Sequence, residues 1–354
     1  MSLAEEVEAI RKRVAFCVEA APVAVVLEGP EAFRAADLAL PTDLFLRDAQ
    51  ARQSLFLDAR GRPFADVLVA RDDERYLLRV DGPDRAQTLA YLEAHAGEGL
   101  RAHALDVTSV SLHGPWAWEL LGAAFGEGLS AIPYLNLFRV GDDLAVRAGR
   151  TGEYGYELLV APARADALVA RISECGARFG LARASREAVA HCGYESWFYD
   201  PARAPDGDVT AIELQLQWRL SPTKRYPGRD AIDARRREGV RARLVCVVTD
   251  DPVAAGDPVL LGGEEVGRIT RSERSLTRGD AISHALLDVR VAHGGIRAIR
   301  VLHEGDEVPA RTAAPPLVSN WSLAVDPRRH SYACADEVKL PPLARGGLGA
   351  AGAR

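Results

Sequence analysis

A chain of 354 residues with 48% hydrophobic and 27% charged side chains has the balance of an ordinary globular protein, and its length exceeds what one hydrophobic core serves, so two or three domains are expected. The net charge of -6 and pI near 5.8 argue against nucleic-acid or membrane-surface partners, which call for a basic patch. Five scattered cysteines without a C-x-x-C pair suit neither a disulfide framework nor a zinc site, no run is long and apolar enough to cross a membrane, and Met1 to Val14 lacks a signal-peptide core, so a cytoplasmic protein without a metal is expected.

Residues 4 to 20 carry helical spacing with mixed charge, and Ala21 to Leu27 reads as a buried strand. Gly29-Pro30 punctuates it, and Glu31 to Leu40 reads as a short helix. Ser54 to Asp58, Phe64 to Ala70 and Arg75 to Val80, separated by turn-rich residues, form a three-strand antiparallel meander. Strand periodicity places Asp66 on the side of Phe64 and Leu68; a carboxylate buried there is paired or functional, which makes Asp66 a candidate. Asp84 to His95 reads as a helix capped by Asp81 or Asp84, Val107 to Leu112 as a strand, and Trp116 to Phe125 as a helix. The strand, Gly-Pro and helix of this second unit (LHGPWAW) echo the first (LEGPEAF), which suggests a duplicated unit.

Leu137 to Ala148 and Tyr156 to Val160 are expected to form a hairpin around Gly149-Arg150-Thr151-Gly152-Glu153-Tyr154-Gly155. Three glycines in seven residues force a tight loop, with Glu153 at a strand's mouth. A carboxylate fixed there can accept two parallel N–H bonds from an amidine-like or guanidine-like edge; a plain turn with a solvated glutamate is the alternative. Arg164 to Cys175 and Ala184 to Gly193 read as helices, Tyr199 to Asp208 as an ordered loop, Thr210 to Trp218 as an alternating segment, and Tyr226 to Asp230 as a turn into a charged helix. From Ala242 to Ala310, short strands with Gly and Asp turns predict a small β-barrel or sandwich. The stretch from about Asp326 is rich in Pro, Gly and Ala and is expected to be partly disordered. His191 adjoins Cys192, but neighbours on a helix point apart, so a nucleophile-and-base pair is not expected.

Read in order, these motifs resemble the folate-binding family of the glycine cleavage T-protein (aminomethyltransferase), which also contains folate-dependent demethylases and YgfZ-like folate-binding proteins. The likeness spans residues 22 to 321 and is carried by Leu27 to Ala32, Asp58 to Asp66, Leu112 to Pro115, Arg150 to Glu157, Thr210 to Trp218, Tyr226 to Arg229 and Gly267 to Ser272. It implies an α+β, three-domain, ring-like fold: a discontinuous folate-binding α+β domain (1–50 and 136–235), a ferredoxin-like α+β domain (51–135), a C-terminal β-barrel domain (240–322) and a tail (323–354). It also implies tetrahydrofolate in a central channel, with Glu153 on the pterin's 2-amino and N3–H edge. Tyr156, Trp218 and Tyr226 would wall the flat ring, and Arg229 would lie beside the cofactor. Aligned to the family, this chain has Thr88 where the acid/base aspartate stands and Asp81 at the preceding asparagine. The family's R-L-E-A-G helix reads Val189-Ala190-His191-Cys192-Gly193. Acid and base work would therefore fall to Asp66, Asp81, Asp84 or His191, with Asp81 favoured at the position the family keeps polar. The resemblance implies a folate-dependent one-carbon transferase with folate and a small-molecule substrate as partners. A folate-binding scaffold without catalysis and an ordinary glycine cleavage aminomethyltransferase are the alternatives.

Overall fold

The computed structural model describes residues 1–345 apart from Ala96 and Glu98. Ser2 opens helix α1 (Leu3–Lys12) with a reciprocal capping box to Glu5, which satisfies two otherwise orphaned N–H groups. The helical spacing expected through residue 20 stops there. Residues Ala15–Glu19 are strand β1, because Phe16 and Val18 find a partner strand and β pairing outweighs a helical period.

The next elements are β2 (Val23–Glu28), α2 (Ala32–Ala39), β3 (Ala51–Leu57), β4 (Pro63–Asp72), β5 (Arg75–Asp81), α3 (Arg85–His95) and β6 (Arg101–Ala104). They form a five-stranded sheet in the order β3-β4-β5-β2-β6. The chain then repeats this plan with β7 (Thr108–His113), α4 (Ala117–Phe125), β8 (Asn136–Val140), β9 (Asp143–Arg147), β10 (Gly155–Val160) and α5 (Pro162–Gly176). With β1 and β11 (Ala182–Arg183), these strands give a six-stranded sheet in the order β11-β1-β7-β10-β9-β8. The run β3-β4-β5-β2 thus has its counterpart in β8-β9-β10-β7, and the two Gly-Pro echoes stand at equivalent strand-to-helix turns. Strand pairing does not follow a division at residues 50 and 135: β2 belongs with the meander, and β7 joins the sheet of β1 and β10.

Period-2 alternation sorts each sheet into two faces. In the five-stranded sheet Val25, Leu27, Phe56, Val67, Val69, Leu78 and Val80 pack under α2 and α3. In the six-stranded sheet Phe16, Val110, Leu112, Tyr156 and Leu158 pack under α4 and α5. The opposite faces meet each other. Ala24, Val26, Ala70 and Leu77 of one sheet touch Leu137, Val146 and Leu159 of the other and make a second apolar layer.

Helices α6 (Arg186–Glu195) and α7 (Arg229–Glu238) follow, then β12 (Ala242–Thr249), β13 (Pro258–Leu261), β14 (Glu264–Arg274), β15 (Ala281–Asp288), β16 (Ile299–His303), β17 (Asp306–Pro309) and β18 (Arg311–Ala313). These strands form one antiparallel sheet that curls into a half-barrel around Val245, Val247, Val259, Ile269, Leu287 and Ile299. Thr210 to Trp218 is not a strand. Glu213 accepts hydrogen bonds from the Thr210 backbone and hydroxyl, and Gln215 takes φ 60°, so the segment winds into turns. The tail is ordered through Arg345: Tyr332 packs against Trp116 and Phe179, and Glu119 accepts from Ser331 Oγ and Tyr332 N. The remainder of the expected disordered stretch, residues 346–354, lies outside the described residues.

The loop between β9 and β10 is closed by backbone contact. A Cβ on Gly155 would stand 2.4 Å from the Gly149 Cα, so no side chain fits at this crossing. Gly155→Ala is expected to cost about 2–3 kcal/mol by overpacking, read as a lowered midpoint in urea denaturation.

Candidate functional site

Beyond the apolar layer the same two sheet faces turn polar and enclose a cavity of about 540 Å³. Register explains which residues reach it. Cys17, Ser111 and Glu157 are directly opposed across β1, β7 and β10, and Glu19 is opposed to Ser109, so their side chains share one face. Asp66 and Asp81 are opposed across β4 and β5. The segment Phe198 to Arg203, the start of α6 and Arg271 of β14 complete the wall.

The wall is an alternating chain of charges. Arg219 donates to Asp66 Oδ1 at 2.5 Å, Arg150 Nη2 pairs with Asp66 Oδ2, and Arg150 Nη1 lies 2.5 Å from Asp81 Oδ2. Arg79 continues it, with Nη1 3.2 Å from Asp81, Nη2 2.6 Å from Glu19 and Nε 2.9 Å from Glu157. Ser109 Oγ donates to the same Glu157 oxygen at 2.7 Å, and Arg186 reaches Glu19 at 3.4 Å. Burial pushes the Asp81 carboxyl up, but Arg150 and Arg79 outweigh it and hold the group below its ordinary value. Burial likewise opposes the charge on Arg79, and Glu157, Asp81 and Glu19 more than restore it. An aspartate held ionised between two arginines is a poor proton donor.

His113, at the end of β7, also borders the cavity. It is 4% exposed, its Nε2 stands 2.9 Å from Ser111 Oγ, and its Nδ1 is buried without a partner among the described residues. Burial pushes its pKa down to about 4 against the pull of Glu157, so the ring is neutral near pH 7.

Glu153 is not on this wall. It is 6% exposed and its fork accepts the chain's own donors: Trp321 N at 3.1 Å on Oε1, and Ser322 N at 2.8 Å and Oγ at 2.6 Å on Oε2. Arg11 lies 4.0 Å away. Burial raises the Glu153 carboxyl against Arg11 and these donors; three donors converging on two oxygens fit the carboxylate form, which we favour. In this structure the Glu153 carboxylate takes three donors from Trp321 and Ser322 and so fastens the segment after the half-barrel to the β9–β10 loop.

The other expected ligand contacts also separate. Tyr156 is fully buried in the helix-covered core, edge-on to Phe138 at 6.3 Å, because it points to the face opposite Glu157. Tyr226 packs with Leu55, Leu57 and Ile232, and Arg229 donates to the carbonyls of Ser221, Pro222 and Lys224, tying its own turn together. Trp218 is 63% exposed and lines a smaller cleft of about 190 Å³ that shares Tyr199, Asp200 and Arg271 with the main cavity. Asp66 and Asp81 do border the cavity. Thr88 is fully buried in α3, under the five-stranded sheet.

His191 sits behind the cavity wall, between Glu195 (Nε2 to Oε1, 3.3 Å) and Glu273 (Nδ1 to Oε2, 3.7 Å). Burial lowers its pKa, but the two carboxylates prevail and raise it to about 9. The Leu276 N–H also points at Nε2 at 3.2 Å, which only a neutral ring accepts; two carboxylates against one N–H favour the imidazolium. Glu195 in turn pairs with Arg11 at 2.8 Å and accepts from Ser275 and Thr277, so this cluster joins α1, α6 and the half-barrel.

The fold and cavity define an α+β protein in which two related sheets and a half-barrel border a ligand-sized space. Family models for the GCVT N-terminal domain and the glycine cleavage T-protein C-terminal barrel domain match residues 1–224 and 242–319, so the chain belongs to the glycine cleavage T-protein family of folate-dependent one-carbon enzymes. An aminomethyltransferase of Rubrobacter xylanophilus is 28% identical over 88% of this chain and 85% of its own length, and one of Thermotoga maritima is 28% identical over 83% of each. Mitochondrial sarcosine dehydrogenase of Mus musculus is 24% identical over 79% of this chain, which corresponds to 33% of that protein. The crystal structure of glycine cleavage system aminomethyltransferase T from Bartonella henselae has the same fold, with a TM-score of 0.79 over 90% of each chain at 21% identity.

Two expectations follow. Glu153→Ala strips a buried carboxylate from Arg11 and three donors and is expected to cost about 3 kcal/mol in urea denaturation. The His191 pKa is raised from about 6.5 in the unfolded chain to about 9, so its stabilisation is complete below pH 6.5 and is lost as pH rises through 9. The thermal midpoint of the wild type should therefore fall between pH 7 and about 10, and His191→Gln should flatten that fall.

Proposed function

We propose that this protein is a tetrahydrofolate-dependent one-carbon transferase acting on a small-molecule substrate. The observation that carries the reading is the central cavity in a chain of this family. Its volume of about 540 Å³ falls in the range of about 300–1,000 Å³ typical of cofactor sites. The residues present fit a reduced folate. Tyr194, Phe198 and Tyr199 offer flat apolar surface, Asp66 and Asp81 accept donors from a heterocycle edge, and Arg186, Arg203 and Arg271 suit the carboxylates of a glutamyl tail. The buried, unpartnered His113 Nδ1 is a further group that a polar ligand could satisfy.

When bound, tetrahydrofolate supplies ring nitrogens that accept a one-carbon unit. The chain's part is to orient that ligand on the aspartates, hold it between aromatic walls and exclude water with the two sheets and the half-barrel. The names of the relatives, aminomethyltransferase and sarcosine dehydrogenase, support a substrate whose one-carbon unit is borne on an amine. Two features favour a second reading, a folate-binding protein without transfer: Asp66, Asp81, Glu19 and Glu157 are all ion-paired, and Thr88 is buried in α3.

Calorimetric titration with tetrahydrofolate should give micromolar binding, weakened about tenfold by Asp81→Asn, which removes one charged acceptor. Absence of binding at millimolar folate would refute both readings. Incubation of the complex with N-methyl and aminomethyl donors, followed by absorbance of the folate product, separates transferase from binder.

A further inference from the structure

We propose that the smaller cleft of about 190 Å³ is a second ligand site, and that its occupant is a single aromatic ring carrying a carboxylate. The cleft shares Tyr199, Asp200 and Arg271 with the main cavity, whereas Trp197, Trp218 and His284 belong to the cleft alone. Its volume is below the range of about 300–1,000 Å³ usual for drug-sized ligands, which suits one ring and is too little for a whole folate.

The walls are flat and held in place. Trp218 is 63% exposed, and an indole left open on a fixed support is a platform for a ring. The support is Arg219, whose guanidinium carbon stands 4.7 Å from the indole centroid and which is itself buried and tied to Asp66 and the Ser54 carbonyl. Trp197 and His284 have ring centroids 4.2 Å apart, and Tyr194 lies 4.8 Å from the same imidazole. Trp197 and Gln215, both lining the cleft, take φ 65° and 60°, a left-handed conformation rare for residues of this size. Such strain persists only where the surroundings fix it, and it gathers at ligand clamps.

The polar groups of the cleft select an anion. The indole N–H groups of Trp197 and Trp218 have no acceptor among the described residues. His284 is neutral, because burial, with Arg271 beside it, pushes its pKa down to about 3 against the pull of Glu273, and its buried Nε2 has no partner among the described residues. Arg203, Arg219 and Arg271 line the cleft against one carboxylate, Asp200, so an ammonium is repelled and a carboxylate attracted. Arg203 is the one able to turn toward it: its side chain is 45% exposed and stands 3.7 Å from Asp200 and 3.1 Å from Glu273, whereas Arg219 and Arg271 are bonded at 2.5 Å to Asp66 and Glu273.

The benzoyl-glutamate part of a folate seated in the main cavity carries the same chemistry, so the test separates the two sources. Benzoate is titrated into the wild-type chain by calorimetry, beside cyclohexanecarboxylate, which has the charge without the flat ring, and benzylammonium, which has the ring with the opposite charge. Benzoate should bind with a submillimolar Kd, and the two controls at least about tenfold more weakly. Trp218→Ala, at an exposed position, should weaken benzoate about tenfold, and Trp218→Phe, which restores a ring, about threefold at most; Arg203→Gln should weaken it about fivefold. Saturable benzoate binding that survives an excess of tetrahydrofolate upholds a separate site. Loss of benzoate binding on loading with folate assigns the cleft to the folate's own tail and overturns the inference, as does no saturation by about 10 mM, equal affinity for benzylammonium, or an unchanged Kd in Trp218→Ala. Should tetrahydrofolate fail to bind, the folate reading falls and the benzoate titrations still decide the cleft.

Discussion

Charges taken out of water must be answered by opposite charges, and in this chain that constraint shapes the space between the two sheets. Arginines and carboxylates alternate from Arg219, behind the wall, through Asp66, Arg150, Asp81 and Arg79 to Glu19 and Glu157 on it. Removing an interior member would strand its neighbours in a medium of low polarity, except where a neighbour has a second partner. The sheets touch through aliphatic side chains at one end and through this ion chain at the other, and the cavity lies where apolar contact gives way to charge. The register of β1, β4, β5, β7 and β10 sets which sheet side chains reach the cavity, and the β9–β10 loop and the segment Phe198 to Arg203 complete its wall.

The β9–β10 loop serves two partners on its two sides. Glu153 grips the backbone after the half-barrel, while Arg150, three residues earlier, crosses to the other sheet. In the sequence the glycine spacing marks a rigid loop carrying a carboxylate, and in the fold that carboxylate is taken up by donors of the chain itself. Which donors it meets is a tertiary fact: Trp321 and Ser322 are brought there by the half-barrel, and nothing local to residue 153 encodes their arrival.

Much of the architecture was legible because it rests on local period. The meander, the helices after each Gly-Pro turn and the short strands beyond residue 240 all follow from alternation and turn residues. The echo of LEGPEAF in LHGPWAW, seven residues in each case, marked two units of the same connectivity. β1 was misread because its apolar residues fit a helical stripe continuing α1, and only the partner strand β7 decides otherwise. At the site, Asp66 was legible as a polar residue on an apolar strand. Glu19, Ser109 and Ser111 carry the same signal, polar groups at every second position, but lie outside every motif; His113 and Glu157 lie inside motifs, and only the strand register shows that their side chains face the cavity. The aromatic residues Tyr156 and Tyr226 misled for the opposite reason: ring chemistry fits a ligand wall and a core equally well, and their face of the strand or turn settles it.

The Glu153 clamp has a consequence for the order of events during synthesis. The loop that carries Arg150 is translated well before its anchors at Trp321 and Ser322, which lie 168 and 169 residues further on. Until they emerge from the ribosome, the Glu153 carboxylate lacks the three donors that Trp321 and Ser322 supply and keeps Arg11 alone, so the loop is held by its own backbone crossing without that anchor. The two sheets can assemble as an open shell on the growing chain, but the cavity is finished from the C-terminal side, so a truncated product would carry the sheet residues of the site without the fastening that sets its geometry.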